Sequence, residues 1–374
     1  MGNIYTGIRT PVVSSRLSTE HSEQYPVYEI PSSVAPHGYY EAPESTHCGL
    51  LAITAAEEAL ADAGIEYDVL QKYRVGICIG TTVGNAMNNE SFYREFLAER
   101  FPDMSSICTY RNTNPADMIA RHLKVHGIRQ CVANACSSGA VAIGLAAEWI
   151  RCGLCDIAIA GGSDMLCRVI YNGFVSLKIM DIHPCRPFDK NRQGLNLGEG
   201  AGITILESSH IAQHRRAHIH AYLCGYGNYS DAYHITAPRP DGLGLEKAIE
   251  VALQQAGIGH EDIVFINAHG TGTIENDKVE GSLFSRLFPH TPFHSTKGYT
   301  GHTLGAAGAI DAIITIEQLK RQVIAASIGF ENPDPEFEVN PVTQNTLVCG
   351  AYALSDSVAF GGNNAALIFH VEGR

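Results

Sequence analysis

The sequence predicts an α/β protein built from two copies of one layered half, and three observations carry that prediction. Short blocks recur in the same order along the 374 residues. Continuous apolar runs alternate with helical patterns, as in sheets covered on both faces. Glycine supplies 37 residues, clustered in short loops directly after the apolar runs, where a backbone turns sharply or approaches a ligand.

Taken in order, Ile4-Tyr5-Thr6-Gly7 reads as a first strand entering a Gly7/Pro11 turn, in preference to the loose myristoylation pattern that Met1 and Gly2 open. Ala59-Leu60-Ala61-Asp62-Ala63-Gly64-Ile65 is the Gly-terminated end of a helix, and it returns as Ala252-Leu253-Gln254-Gln255-Ala256-Gly257-Ile258. Strand and Gly/Thr loop follow in both copies, Val75-Gly76-Ile77-Cys78-Ile79-Gly80-Thr81 and Ile263-Val264-Phe265-Ile266-Asn267-Ala268-His269-Gly270-Thr271. Helices of small residues start near Ser138-Gly139-Ala140 and Ala307-Gly308-Ala309. Finally Leu197-Gly198-Glu199-Gly200 leads into a strand at 203–207, as Phe360-Gly361-Gly362-Asn363 leads into one at 367–370. The spacing between copies shrinks along the chain, which places extra material in the first half around 86–125. The expected division is 1–211 and 212–374, joined near 208–216, with a cleft where matching loops of the two halves meet.

Composition excludes several classes. With 26 Lys+Arg against 39 Asp+Glu the net charge is −13, opposite to what phosphate neutralisation by a nucleic-acid binder requires. A 45% hydrophobic and 17% charged chain is well cored rather than disordered. No 18-residue apolar run and no secretory pattern are present, so no membrane helix is expected. Eleven cysteines without repeated spacing fit free thiols in a reducing cytoplasm.

Three residues stand out chemically. Cys136 ends an apolar stretch and precedes a helix opened by Gly139, where the macrodipole favours thiolate. His269 directly follows a buried strand, inside Asn267-Ala268-His269-Gly270-Thr271-Gly272-Thr273. His302 lies in Gly301-His302-Thr303-Leu304-Gly305, and the repeat sets it two or three positions from the counterpart of Cys136. The trio is therefore expected to converge between the halves. Other candidates take the plainer reading. Cys152-x-x-Cys155 lacks a second ligand pair for zinc, and His210, His214, His218 and His220 fit an exposed helix and linker. Gly198-Glu199-Gly200-Ala201-Gly202 precedes a strand rather than a helix, so it is no dinucleotide loop.

These residues resemble the elongating β-ketoacyl-ACP synthases of the thiolase superfamily, over about residues 45–372. The likeness rests on Ala135-Cys136-Ser137-Ser138-Gly139, Asp189-Lys190-x-Arg192-x-Gly194, Leu197-Gly198-Glu199-Gly200-Ala201-Gly202, Ser230-Asp231-Ala232-Tyr233-His234, the segments 267–273 and 297–308, and Phe360-Gly361-Gly362-Asn363-Asn364. The resemblance implies a thiolase-like fold, with duplicated α-β-α-β-α halves forming a five-layered pseudo-dimer. It implies that Cys136 carries the acyl chain and that His269 and His302 bind the malonyl thioester oxygen during decarboxylation. By the same likeness Cys136 and Phe360 N–H groups form an oxyanion hole, and Phe360 gates the site. Lys297 tunes His302, with Glu280 and Asp277 as its partners, and Asp231 supports the loop. Thr271, Thr273, Val358, Gly361 and Gly362 contact substrate. No metal or dissolved cofactor is implied, because the acyl groups ride on the phosphopantetheine of an acyl carrier protein. The partner subunit implied is a second copy or a chain-length factor, with the 86–125 segment at the dimer interface and acyl tunnel.

Two departures are visible. The family's Phe-Gly-Phe-Gly-Gly loop is Val358-Ala359-Phe360-Gly361-Gly362 here, with a smaller ring-free side chain and a stiffer backbone. The basic helix before residue 50 is replaced by Glu41-Ala42-Pro43-Glu44, so an acidic carrier needs a local basic patch, for which Arg121, Lys124 and Arg129 are candidates. A biosynthetic thiolase would need a second cysteine in the 360–363 loop, and a non-catalytic chain-length factor would lack Cys136. A cysteine hydrolase leaves 297–308 unexplained. The remaining alternative is a ketosynthase of a specialised type II polyketide or polyene system, the aryl polyenes among them, paired with a chain-length factor.

Overall fold

The computed structural model describes residues 2–14, 16–17, 21–38, 44–84 and 89–373. Met1, the Glu41, Ala42 and Pro43 of the acidic stretch, and positions 86–88 of the extra segment lie outside the described residues.

The first expected strand is a helix. Gly2–Thr6 form α1, because one helical turn is enough to bury Ile4 against Tyr299, Ile314 and Ala325. The Tyr5 hydroxyl then donates to the Val323 carbonyl at 3.2 Å, and Gly7 ends the turn at φ 70°.

The first half runs α2 (Glu44–Asp62), α3 (Tyr67–Leu70), β1 (Val75–Gly80), α4 (Glu90–Leu97), α5 (Ser105–Asn112), α6 (Pro115–Leu123), β2 (Arg129–Val132), α7 (Ser138–Arg151), β3 (Ile157–Asp164), α8 (Arg168–Ser176) and β4 (Gly200–Glu207). The short α9 (Ser209–His214) links it to β5 (Tyr222–Ser230), α10 (Leu243–Ala256), β6 (Ile263–Asn267), α11 (Ile274–Leu287), β7 (Phe293–His294), α12 (Lys297–Thr300), α13 (Ala307–Arg321), β8 (Val323–Ile324), β9 (Thr346–Leu347), β10 (Tyr352–Ala359) and β11 (Asn363–His370).

One sheet has the order β2-β1-β3-β4 and the other β5-β11-β10-β6-β7. In each, two parallel pairs are followed by an antiparallel one: β1 lies parallel to β2 and β3, and β3 antiparallel to β4. Likewise β6 lies parallel to β7 and β10, and β10 antiparallel to β11. Both faces of both sheets are covered, which is why β1, β3 and most of β10 are buried without alternation. Helices α2 and α6 pack on the outer face of the first sheet, α10 and α11 on that of the second. Between the sheets lie α7 and α13, joined through a core that includes Ala140, Ile143, Ala309 and Ala312. The result is the five-layered α-β-α-β-α arrangement expected.

The expected extra material is helical: α4, α5 and the start of α6. It exposes Phe96, Leu97 and Phe101, with Phe92 and Phe96 stacked at 6.1 Å.

Candidate active site

The site forms where α7 and α13 point their N-termini at each other. Small residues are obligatory there: a Cβ on Gly139 would stand 2.8 Å from the Gly305 carbonyl oxygen and 2.9 Å from the Ala309 nitrogen. Each helix is entered through a 3-10 turn, Ala135–Ser137 and Leu304–Ala306, whose first residue is left-handed, at φ 55° for Ala135 and 57° for Leu304. Such a backbone is strained for a residue with a Cβ and is held by its surroundings. At the first turn, Ser138 Oγ accepts from the Asn134 N–H at 3.0 Å and donates to the Ala135 carbonyl at 2.6 Å.

Cys136 sits in that turn, 5% exposed. Burial pushes its thiol up to about 11, against the Phe360 N–H, the Lys297 charge and its own N–H. Against the dipole-favoured thiolate expected from the sequence, burial acts in the opposite direction and favours the neutral thiol.

His302 is placed by its backbone. Its N–H donates to the Asn196 carbonyl at 2.7 Å, and its carbonyl accepts from the Gly198 N–H at 2.9 Å. The Leu304 N–H donates to Nδ1 at 3.1 Å, so the ring proton belongs on Nε2. His269 follows β6, and the two rings meet edge to face at 5.2 Å. Burial, with the Lys297 charge, holds both imidazoles neutral: His302 is lowered to about 3 and His269 well below the ordinary range. The Cys136 sulfur and one nitrogen from each ring all lie within 4.8 Å of one another. Among the described residues this is also the one Cys/His/Asp/Glu cluster close enough to hold a metal ion.

Lys297 is buried at the start of α12, and its partner is Asp311 of α13, at 2.9 Å. The expectation of Glu280 and Asp277 as partners is corrected here. Both carboxyls are turned to the main chain of the 269–272 turn: Glu280 accepts from the Gly270 N–H at 2.8 Å, and Asp277 from the Thr271 N–H at 2.9 Å and the Gly272 N–H at 3.0 Å. Asp311 escaped sequence reasoning, although a signal existed. It is the one charge in an otherwise small and apolar stretch, and such a charge needs a buried partner.

The Cys136 sulfur, both histidines, Thr271, Thr273, Val358 and Phe360 line a cavity of about 260 Å³. Thr271 and Thr273 join hydroxyls at 2.8 Å. Phe174 and Leu177 of the α8 region complete the apolar wall, and Phe360 stacks on Phe174 at 5.7 Å, 18° from parallel. Gly361 and Gly362 do not line the cavity. They turn the hairpin between β10 and β11 at φ 83° and 77°. That hairpin is tied to the 231–239 loop: Asp231 accepts from the Asn364 amide at 2.8 Å and the Arg239 N–H at 2.9 Å, while the Gly361 N–H donates to the Ile235 carbonyl at 2.7 Å.

The basic candidates are not at this mouth. Arg129 pairs with Asp117, Arg121 donates to the Asn112 carbonyl at 2.7 Å, and Lys124 caps α6. None of the three lines the cavity.

Comparison with known proteins accords with this geometry. Residues 41–212 match the β-ketoacyl synthase N-terminal domain and 220–331 the β-ketoacyl synthase C-terminal domain. The 3-oxoacyl-[acyl-carrier-protein] synthase 2 of Staphylococcus aureus is 34% identical over 341 residues, covering 85% of this chain and 82% of that protein. Among solved structures, the ishigamide ketosynthase/chain length factor aligns with a TM-score of 0.90 at 32% identity, covering 100% of this chain and 94% of its own. A ketosynthase solved with its type II polyketide acyl-carrier protein and bound to a hexaketide aligns at 0.89 and 26% identity, covering 99% and 94%.

Proposed function

The chain belongs to the β-ketoacyl synthase family, and from that premise we propose how its site works. It is an acyltransferase of the 3-oxoacyl-[acyl-carrier-protein] synthase type, joining an acyl group held on Cys136 to malonyl carrier with loss of carbon dioxide. Cys136 sulfur attacks the acyl-carrier thioester, and its proton leaves with the departing pantetheine thiol. Since the thiolate is the attacking form, the buried thiol loses its proton as sulfur attacks, and the apolar walls that bury it keep water from the thioester it forms. Malonyl carrier then enters past Thr271 and Thr273. Its carboxylate leaves as carbon dioxide, and the electron pair passes into an enolate held by His269 and His302. The enolate carbon attacks the Cys136 acyl carbonyl, whose oxyanion is held by the Cys136 and Phe360 N–H groups. Collapse expels the Cys136 thiolate, which regains a proton.

The observation that carries this reading is the Leu304 N–H on His302 Nδ1. It leaves Nε2–H as a permanent donor beside Cys136, suited to an enolate oxygen and unsuited to a base. Lys297, held in place by Asp311, sets a positive charge near both rings and so adds to burial in keeping them neutral. Val358 and Phe360 shape the acyl pocket, and the Asp231 tie holds the gating hairpin. Such chemistry needs no dissolved cofactor. Free thiols suit a cytoplasmic setting, and the halves 1–211 and 212–374 each contribute one side of the seam.

A second reading concerns pathway. The likeness to the ishigamide ketosynthase/chain length factor, with Phe96, Leu97 and Phe101 exposed on the 86–125 segment, supports a specialised polyketide or polyene ketosynthase paired with a chain-length factor. Intact-mass analysis of Cys136 after exposure to a panel of acyl carriers, with co-purification of partner subunits, tests both readings. Acyl adducts on Cys136 are expected. No adduct from any carrier overturns the assignment, and a stable homodimer with fatty-acyl preference removes the second reading.

A further inference from the structure

Behind His269, on the side away from Cys136, three buried carboxyls face one main-chain turn. Asp277 holds the Thr271 and Gly272 amides, Glu280 Oε2 holds the Gly270 amide, and the Asp356 carboxyl of β10 faces the His269 amide. The main-chain N–H groups of the turn that carries one proposed catalytic ring and the two threonines thus point at carboxyl groups, while Ser295 Oγ donates to the Gly270 carbonyl at 2.7 Å.

Two of the three are incompletely matched. Glu280 Oε2 also takes the Asn276 amide, whereas Glu280 Oε1 and both oxygens of Asp356 are buried without a well-formed hydrogen bond among the described residues, the His269 amide standing off Asp356. Yet the two carboxyls meet at one turn: Ser355, next to Asp356, pairs with Asn267 across β10 and β6, and Glu280 holds the Gly270 N–H three residues on, so that each carboxyl bears on the other. Two ionised carboxylates have acceptors only, so neither can satisfy the other. A proton between them converts the clash into a hydrogen bond, as in other buried carboxyl pairs.

We propose that Asp356 is a positioning residue that shares one proton with Glu280, and that this proton-bridged pair sets the turn aiming His269 at Cys136. The proposal rests on the condensing reading of the site only for its effect on catalysis. Its structural part stands independently.

The surroundings favour retention of that proton. From α11 the pair sees Asp277; from α12 it sees Lys297, and from α13 Asp311, which pairs with Lys297 at 2.9 Å and whose own charge pushes Asp356 up. The turn contributes the His269 ring, which is neutral, and Arg192 lies beyond Asp277. Across the sheet, Asp356 pairs with Ala366, which has nothing to titrate. Burial first, then the neighbouring carboxyl charges, raises Glu280 well above its ordinary range, and burial raises Asp356 to about 7. Because the folded pair is raised, its stabilising effect is complete below the unfolded carboxyl range and is lost as pH rises through neutrality. One proton bound by the folded chain and not by the unfolded one makes the unfolding constant grow about tenfold per pH unit.

The test uses the full-length protein with Asp356→Asn and Glu280→Gln. Either amide donates permanently to the remaining carboxylate, replacing the shared proton with almost no change of shape. Unfolding is followed between about pH 5 and about pH 9. Each variant is expected to lose about one proton's worth of pH slope relative to the unsubstituted protein, and to lose the infrared band of a protonated carboxyl. Decarboxylation by the variants is expected to hold at alkaline pH where that of the parent declines. Parallel pH slopes for all three proteins overturn the proposal. So does selective stabilisation of the parent by potassium or sodium over tetramethylammonium, which would place a cation where the proton is assigned. If one variant fails to fold, the other carries the comparison. The slope requires no turnover, so its failure is distinct from failure of the condensing reading.

Discussion

The turns Ala135–Ser137 and Leu304–Ala306 are built alike, yet one carries the proposed nucleophile Cys136 and the other carries none. Both open with a left-handed residue and both feed a long central helix. Position for position, Gly305 stands where Cys136 stands. In the first turn Cys136 lines the cavity, and its N–H acts on its own sulfur. In the second, the Gly305 N–H donates to Asp164 Oδ2 at 2.7 Å, and that carboxylate also takes the Thr82 N–H at 2.6 Å and the Thr81 hydroxyl at 2.8 Å. A side chain of the protein fills the oxygen site on one side; on the other, the proposed mechanism sets a substrate oxygen. Duplication supplied two equivalent turns; a buried carboxylate at the end of β3 closes one of them.

This contrast can be broken from either side, most severely at the nucleophile. Cys136→Ala should abolish self-acylation and condensation, a loss of at least roughly 10³-fold, with little change in melting temperature. Restored condensation in that variant would defeat the assignment. His302→Ala should still load acyl groups but decarboxylate about 10²–10³-fold more slowly, as followed by carbon dioxide release from malonyl carrier. The equivalent change in the closed turn should act on stability instead. A Cβ in Gly305→Ala would meet the Thr82 nitrogen at 2.5 Å, so unfolding measurements should show a loss of about 1–3 kcal/mol. Equal tolerance of alanine at 136 and 305 in a denaturant melt would erase the distinction. Alkylation of Cys136 by iodoacetamide should quicken about tenfold per pH unit from neutrality towards about 10, because the thiol is pushed up to about 11 and both imidazoles are neutral throughout. A plateau near neutral pH would show that the helix terminus, not burial, controls the thiol. Least of all, Phe174→Ala should cost about 0.5–1.5 kcal/mol of aromatic pairing and speed opening at Phe360, read as a severalfold change in acyl-chain selectivity.

Much of this was legible because the repeats are spaced by the same supersecondary units. The apolar runs at 75–80 and 263–267 and the glycine-opened helices at 138 and 307 each fall on the element expected. Cys136, His269 and His302 could be joined before any coordinates, since a repeat converts separation along the chain into proximity across a pseudo-twofold axis. What was not legible depends on burial. Whether Cys136 rests as thiol or thiolate turns on how completely Phe360 and the neighbouring helices exclude water. The Lys297 partner turns on helix register, which brings Asp311 rather than Glu280 to the ammonium. The Ile4 segment is too short for periodicity to separate a helical turn from a strand.

The order of strands in the second sheet has a consequence for biosynthesis. Its two central strands, β10 and β11, are the last of the sheet in the sequence, and they slot between β5 and β6. The sheet therefore cannot close while a ribosome still holds residues beyond 352, and Phe360 arrives only with that closure. Until then Cys136 has neither the Phe360 ring nor the Phe360 N–H beside it. A chain in which this sheet has not yet closed thus carries a less shielded Cys136 thiol, and the cavity takes shape together with the sheet.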